Sequence, residues 1–210
     1  DDFEESIRLL QDQQIPFVLV DKYSDTIATD YVVCDDLHGA YLGTSHFLRG
    51  GHRQIGHITG PDCSSFSNRI RGYREALREA HVRFRKQYIE RITQPLDGEA
   101  VDAYDATLSL LRRCPSITAL CVATDAMLPS VFRAARSLGV TVPKDLSLVG
   151  FGDIQTFSLM DLPITTIAYP KFDVGQTAAR ILFDKINERV SMNVRQQMKL
   201  RPELIVREST

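Results

Sequence analysis

The feature that most limits what this chain can fold into is its alternation. Short apolar runs are separated, along nearly the whole length, by stretches with helical spacing. The runs are IPFVLVD, DYVVCDD, QIGHITG, ITALCVAT, LSLVGF, PITTIAYP and, at the end, KLRPELIVRE. Between them the spacing predicts helices over 3–13, from Asp36 to a stop at Gly50-Gly51, and over 68–80, 98–113, 126–138 and 171–189. Expected inward faces are Phe3, Ile7 and Leu10 on the first helix, and Leu37, Ala40, Tyr41, Thr44 and Leu48 on the second. They continue with Tyr73, Ala76, Leu77 and Ala80, then Val101, Tyr104, Leu108 and Leu111. On the last helix they are Val174, Ala178, Ile181, Leu182 and Lys185. Strands alternating with helices of this length build a parallel sheet covered on both faces, an α/β architecture. ALCVA and LSLVGF are apolar without alternation, as strands buried on both faces are. Pro202 confines the final run to a sheet edge or to irregular chain.

Composition narrows the function classes. Of 210 residues, 43% are hydrophobic, enough for one large domain or two lobes with real cores. The net charge of −2 does not suit a chain that wraps nucleic acid. The densest basic run, RFRKQYIER at 83–91, reads as a solvated connecting segment. Cys34, Cys63, Cys114 and Cys121 have no CxxC spacing and read as free thiols in a reducing compartment. No apolar run approaches the roughly 18 residues of a membrane span. DDFEESIRLL is neither a signal nor a transit peptide, and a start in mid-helix is expected of a fragment.

In open parallel sheets, ligands bind at the carboxyl ends of the strands. The residues there are Asp21, Ser65, Phe66, Arg69, Thr124, Asp125, Gly152 and Asp153. Carboxylates accept paired hydroxyls, an arginine donates in a fixed fork, and an aromatic ring covers an apolar face, so the set suits a small polar ligand. Each has a structural alternative. Asp125 directly precedes a helical run and suits an N-cap as well as a ligand contact. Thr124 suits packing, Asp153 suits holding the adjacent loop, and Arg69 suits a surface ion pair. The phosphate, dinucleotide, nucleophile-elbow and zinc-protease motifs are missing, and His46, His52 and His57 do not share a helix face. No enzyme chemistry, metal or cofactor is expected.

IPFVLVDK, DDLHGAYLGTSHFLRGGHRQIGHITGP, NRIRGYREAL, VPKDLSLVGFGD, LPITTIAYP and RPELIVREST follow one another in a familiar order. In these stretches the chain resembles the effector-binding core of the lactose-repressor/galactose-repressor (LacI/GalR) family of bacterial transcriptional regulators. The resemblance implies the type I periplasmic-binding-protein-like fold: two Rossmann-like lobes with parallel sheets, joined by three crossovers. Residues 1–33 and 168–195 would be part of an incomplete N-terminal lobe, and 34–167 with 196–210 the C-terminal lobe. It implies a cytoplasmic homodimer that binds a sugar-like effector in the interlobe cleft. Operator DNA would be bound only through an N-terminal helix-turn-helix headpiece absent from this sequence. The alternative is a periplasmic-type sugar-binding protein of a transporter or chemoreceptor.

By the same resemblance, Asp21, Ser65, Phe66, Arg69, Cys121, Thr124, Gly152 and Asp153 face the ligand, with Arg69 a main anchor and Ser65 and Phe66 in a loop. Leu159 and Met160 would lie at the dimer interface. The departure is Gly152. The family has GFDD or GFDN where this chain has GFGD, so an acid that contacts effector hydroxyls is replaced.

Overall fold

The computed structural model describes residues 2–92, 101–154, 162–191 and 193–210. The chain forms two compact units, 1–35 with 170–201 and 36–169 with 202–210, and passes between them three times. The expected boundary at 196 moves to 201/202. The physical reason is strand pairing: Tyr31–Cys34 aligns in parallel with Gln197–Leu200, which keeps that strand in the first unit.

In the first unit α1 (Asp2–Asp12) precedes β1 (Leu19–Val20) and β2 (Tyr31–Cys34). The run IPFVLVD pairs only over two residues, less than its apolar length suggests. The later α6 (Lys171–Ile186) and β8 (Gln197–Leu200) complete the unit, with sheet order β1-β2-β8, all parallel. α6 buries Val174, Thr177, Ala178, Ile181 and Lys185. Lys185 belongs to that stripe because its ammonium meets Asp30 at 2.6 Å and donates to the Val194 carbonyl at 2.8 Å. Asp30 also accepts the Gln196 amide at 2.7 Å, so the buried charges are fully partnered.

The second unit contains α2 (Asp36–Arg49), β3 (Ile55–Thr59), α3 (Ser64–Glu79), β4 (Ile89–Arg91), α4 (Val101–Arg113), β5 (Ala119–Val122), α5 (Leu128–Ser137), β6 (Ser147–Phe151), β7 (Thr165–Ala168) and β9 (Glu203–Ile205). Sheet order is β4-β3-β5-β6-β7-β9. Every pairing is parallel except β7 with β9, the edge strand that Pro202 introduces. The basic run at 83–91 is therefore no mere connection. It supplies edge strand β4 and the buried Tyr88.

Strand side chains divide by the period of two. Ile58, Leu120, Val122 and Leu148 join Leu110, Met127, Leu128 and Val131 in the core under α4 and α5. The α4 stripe is rotated from the expected one: Ala103, Ala106, Thr107, Leu110 and Leu111 are buried, while Tyr104 is half-buried beside Arg133. Positions 98–100 of the expected helix lie outside the described residues. On the opposite face α2 and α3 pack over His57, Cys121, Val149, Phe151 and Ile167. A Cβ on Gly72 of α3 would collide with the Leu37 carbonyl oxygen of α2, so the missing side chain sets how closely these helices approach. The tail is sewn between strands: Ser209 donates to the Leu148 carbonyl at 2.7 Å and accepts the Thr165 amide at 2.8 Å.

Candidate functional site

α3 begins at Ser64, four residues before the expected start, after an extended Cys63. Ser65 and Phe66 thus occupy its first turn rather than a loop. This brings Arg69 one turn further along, over the carboxyl end of the sheet. Arg69 is buried. Its Nε and Nη2 reach Asp36 Oδ1 at 2.8 and 2.7 Å, and its Nη1 donates to the Ala123 carbonyl. The guanidinium lies 3.7 Å from the Phe151 ring centroid and 5.4 Å from that of Phe66. One side chain therefore connects the start of α2, the end of β5 and the end of β6. From the sequence Asp36 is expected only as a helix start, and Phe151 is not among the expected site residues. The adjacent DD at 35–36 was the available signal for a buried acid.

Cys121 lies beneath this group, its thiol 3.6 Å from Thr44 Oγ1. Burial pushes the thiol up to about 12, so it is a packed thiol rather than a thiolate nucleophile. Among the described residues no two cysteines form a disulfide.

A second group surrounds Asp125. Its carboxylate accepts the Ile154 amide at 3.1 Å and the Thr166 hydroxyl at 3.1 and 3.2 Å. The N-cap reading is corrected: Thr124 holds the N-cap position of the short 3-10 turn 125–127, without a side-chain cap bond, and Asp125 turns instead to strand β7 and the 150–154 turn. Burial raises its carboxyl above the usual carboxylate range, against the pull of those hydrogen bonds. A Cβ at Gly150 would run into Asp125 Oδ1. Gly152 has φ +136°, backbone that side chains rarely tolerate, which explains the glycine in GFGD. Asp153 has φ +51° and its Oδ1 accepts from Arg207 at 2.8 Å.

Thr124 is half-buried at the same strand end. Asp21 belongs to the first unit, exposed, with φ +70°. Leu159 and Met160 lie outside the described residues. Among the described residues, no helix is long and apolar enough to cross a membrane.

Two α/β units with largely parallel sheets and polar residues at the carboxyl ends of their strands are the architecture of the periplasmic-binding-protein-like class, which similarity to known proteins singles out from other parallel α/β folds. Residues 44–210 match the family described as periplasmic binding protein-like domain. Over 203 residues the chain is 30% identical to the HTH-type transcriptional repressor PurR of Aliivibrio salmonicida, covering 96% of this chain and 59% of that protein. The structure of a CelR–cellobiose complex, a transcriptional regulator, superposes with TM-score 0.89 at 28% identity, over 97% of this chain and 62% of that one. A ribose-bound LacI-family regulator from Enterococcus faecium gives TM-score 0.83 at 27% identity, over 96% and 73%. The chain belongs to the LacI/GalR family of transcriptional regulators, in the effector-binding core. It spans about three fifths of the length of the curated relatives it matches.

Proposed function

We propose that this core binds a small polar ligand of the sugar class and that binding controls DNA recognition by the regulator of which it is part. The observation that carries the reading is the buried Arg69 guanidinium, held by Asp36 and Ala123 between the Phe66 and Phe151 rings. Three of its five N–H groups are committed to the protein, and the guanidinium so fixed at the strand ends keeps N–H capacity for a ligand. The cellobiose and ribose named for two structural relatives support the sugar class. Binding acts by favouring one conformation of the core over another. Ligand and DNA must then alter each other's affinity by the same factor. DNA reading belongs to a helix-turn-helix segment outside these 210 residues, in a cytoplasmic protein. No catalytic step is part of this reading, in keeping with the packed Cys121 thiol.

The test is a thermal-shift panel of pentoses, hexoses, disaccharides, sugar acids and nucleobases. At a ligand concentration 100-fold above Kd, a rise of about 5–10 °C with one group of sugars is expected. A rise with nucleobases alone contradicts the sugar class, and no rise with any compound contradicts the ligand-binding reading.

A further inference from the structure

His57 stands in the middle of β3 and is 2% exposed. Among the described residues neither of its ring nitrogens meets a hydrogen-bond partner, and the same holds for Thr59 Oγ1, two residues on and on the same face. Burial pulls the imidazole down to about 3, with Arg69 and Arg91 adding to the effect, so it is neutral at physiological pH. A neutral imidazole presents one donor and one acceptor. Leaving such groups unpaired in a buried site costs the full desolvation of each. A mid-strand histidine with both nitrogens idle therefore points to a partner outside the described residues.

The space for one exists. A cavity of about 20 Å³ is lined by His57, Arg69, Cys121, Val149, Phe151 and Ile167, among others. Roughly 10–15 Å³ suffices for one water, provided it finds two to four polar partners. His57 and Cys121 are paired in register on neighbouring strands, which directs their side chains to the same face beneath α3. The Tyr73 ring, 5.3 Å from the imidazole centroid, has its hydroxyl committed to the Ile55 carbonyl and does not compete for the ring nitrogens. Arg69 also lines the cavity, and two of its N–H groups remain after Asp36 and Ala123.

We propose that this cavity is a binding site for one ordered water molecule held between the His57 ring and Arg69. Through that water His57 is a positioning residue for the guanidinium. The water accepts from an Arg69 N–H and donates to the unprotonated His57 nitrogen. It completes a three-sided hold whose other sides are Asp36 and Ala123. The positioning part deepens the proposed role of Arg69 in ligand binding, but the water site is tested without any ligand and stands or falls separately.

Two measurements on the full chain decide it. A crystal structure fine enough to show ordered water should place one within hydrogen-bond distance of a His57 nitrogen. The imidazole nitrogen resonances should show a neutral ring whose unprotonated nitrogen is hydrogen-bonded. A dry cavity with a free nitrogen resonance overturns the proposal.

Variants test the positioning. With the water present, His57→Phe strands an Arg69 N–H and lowers Tm by about 2–4 °C. Hydrogen exchange at Arg69 Nε–H speeds up about tenfold, as for the loss of about 1.4 kcal/mol, and His57→Gln restores much of the protection. A rise in Tm for His57→Phe means that the histidine carried only unpaired groups, and contradicts the site. A fall in Tm with Arg69 exchange unchanged overturns the positioning role. If His57→Phe does not fold, the crystal and resonance measurements on the unaltered chain remain decisive.

Discussion

Asp125 lies under the turn that carries Gly152 and Asp153, and its carboxylate serves the Ile154 amide and the Thr166 hydroxyl together. Asp125→Asn keeps the size but presents an NH2 group to one of these donors. A loss of about 1–3 kcal/mol is expected in denaturant unfolding at neutral pH. The pH dependence has a definite sign. The folded carboxyl sits above its ordinary 3.8, so the stability it contributes is complete below the unfolded value and is lost as pH rises through the folded one. The penalty of Asp125→Asn therefore shrinks as pH is raised from about 3.8 toward neutrality; a penalty that grows over that range contradicts this account of Asp125. The acid was legible in the sequence as a strand-end residue, but its direction was not. An N-cap and a turn-holder have the same local pattern, and only the pairing of β6 with β7 brings Thr166 to it.

Among the elements, α2 and α3 approach most closely where Gly72 faces the Leu37 carbonyl. Gly72→Ala must push the helices apart, with an expected cost of about 1–3 kcal/mol in thermal or denaturant unfolding. Gly175 on α6 is the control. Its added methyl would meet nothing within 4 Å, so Gly175→Ala is expected to stabilise by about 1 kcal/mol through helix propensity alone. Equal effects at the two positions would contradict the close-approach account. Most helices and strands are legible in the apolar periodicity, because it is burial that selects those residues. The misses have physical causes. α3 starts early because Cys63 is extended and the chain turns helical before any apolar repeat begins. β4 hides in a charged run because an edge strand needs only one partner, here β3. The α4 stripe is displaced because Ala103, Ala106 and Thr107 pack inward where bulkier Tyr104 and Leu108 looked the better core.

For the whole molecule, the order of motifs identifies the family while the chemistry of the site comes from packing. Arg69 was readable as a candidate from its place at the start of a helix. Its hold was not, because Asp36, Ala123 and Phe151 converge on it from 33 and 54 residues away for the two hydrogen-bonded partners, and from another strand for the ring. Gly152 was readable as a departure from relatives, and its φ supplies the reason: the turn over Asp125 takes a backbone shape that favours glycine. The central claim is that Arg69, so held, anchors a small polar ligand. The most direct test is calorimetric titration of the protein and of Arg69→Lys with the sugar that gives the largest thermal shift. Lysine keeps the charge but loses the fork. Saturable binding by the unaltered protein, weakened about 10- to 100-fold in Arg69→Lys with folding retained, is the predicted result. Equal affinity in the two proteins would contradict it.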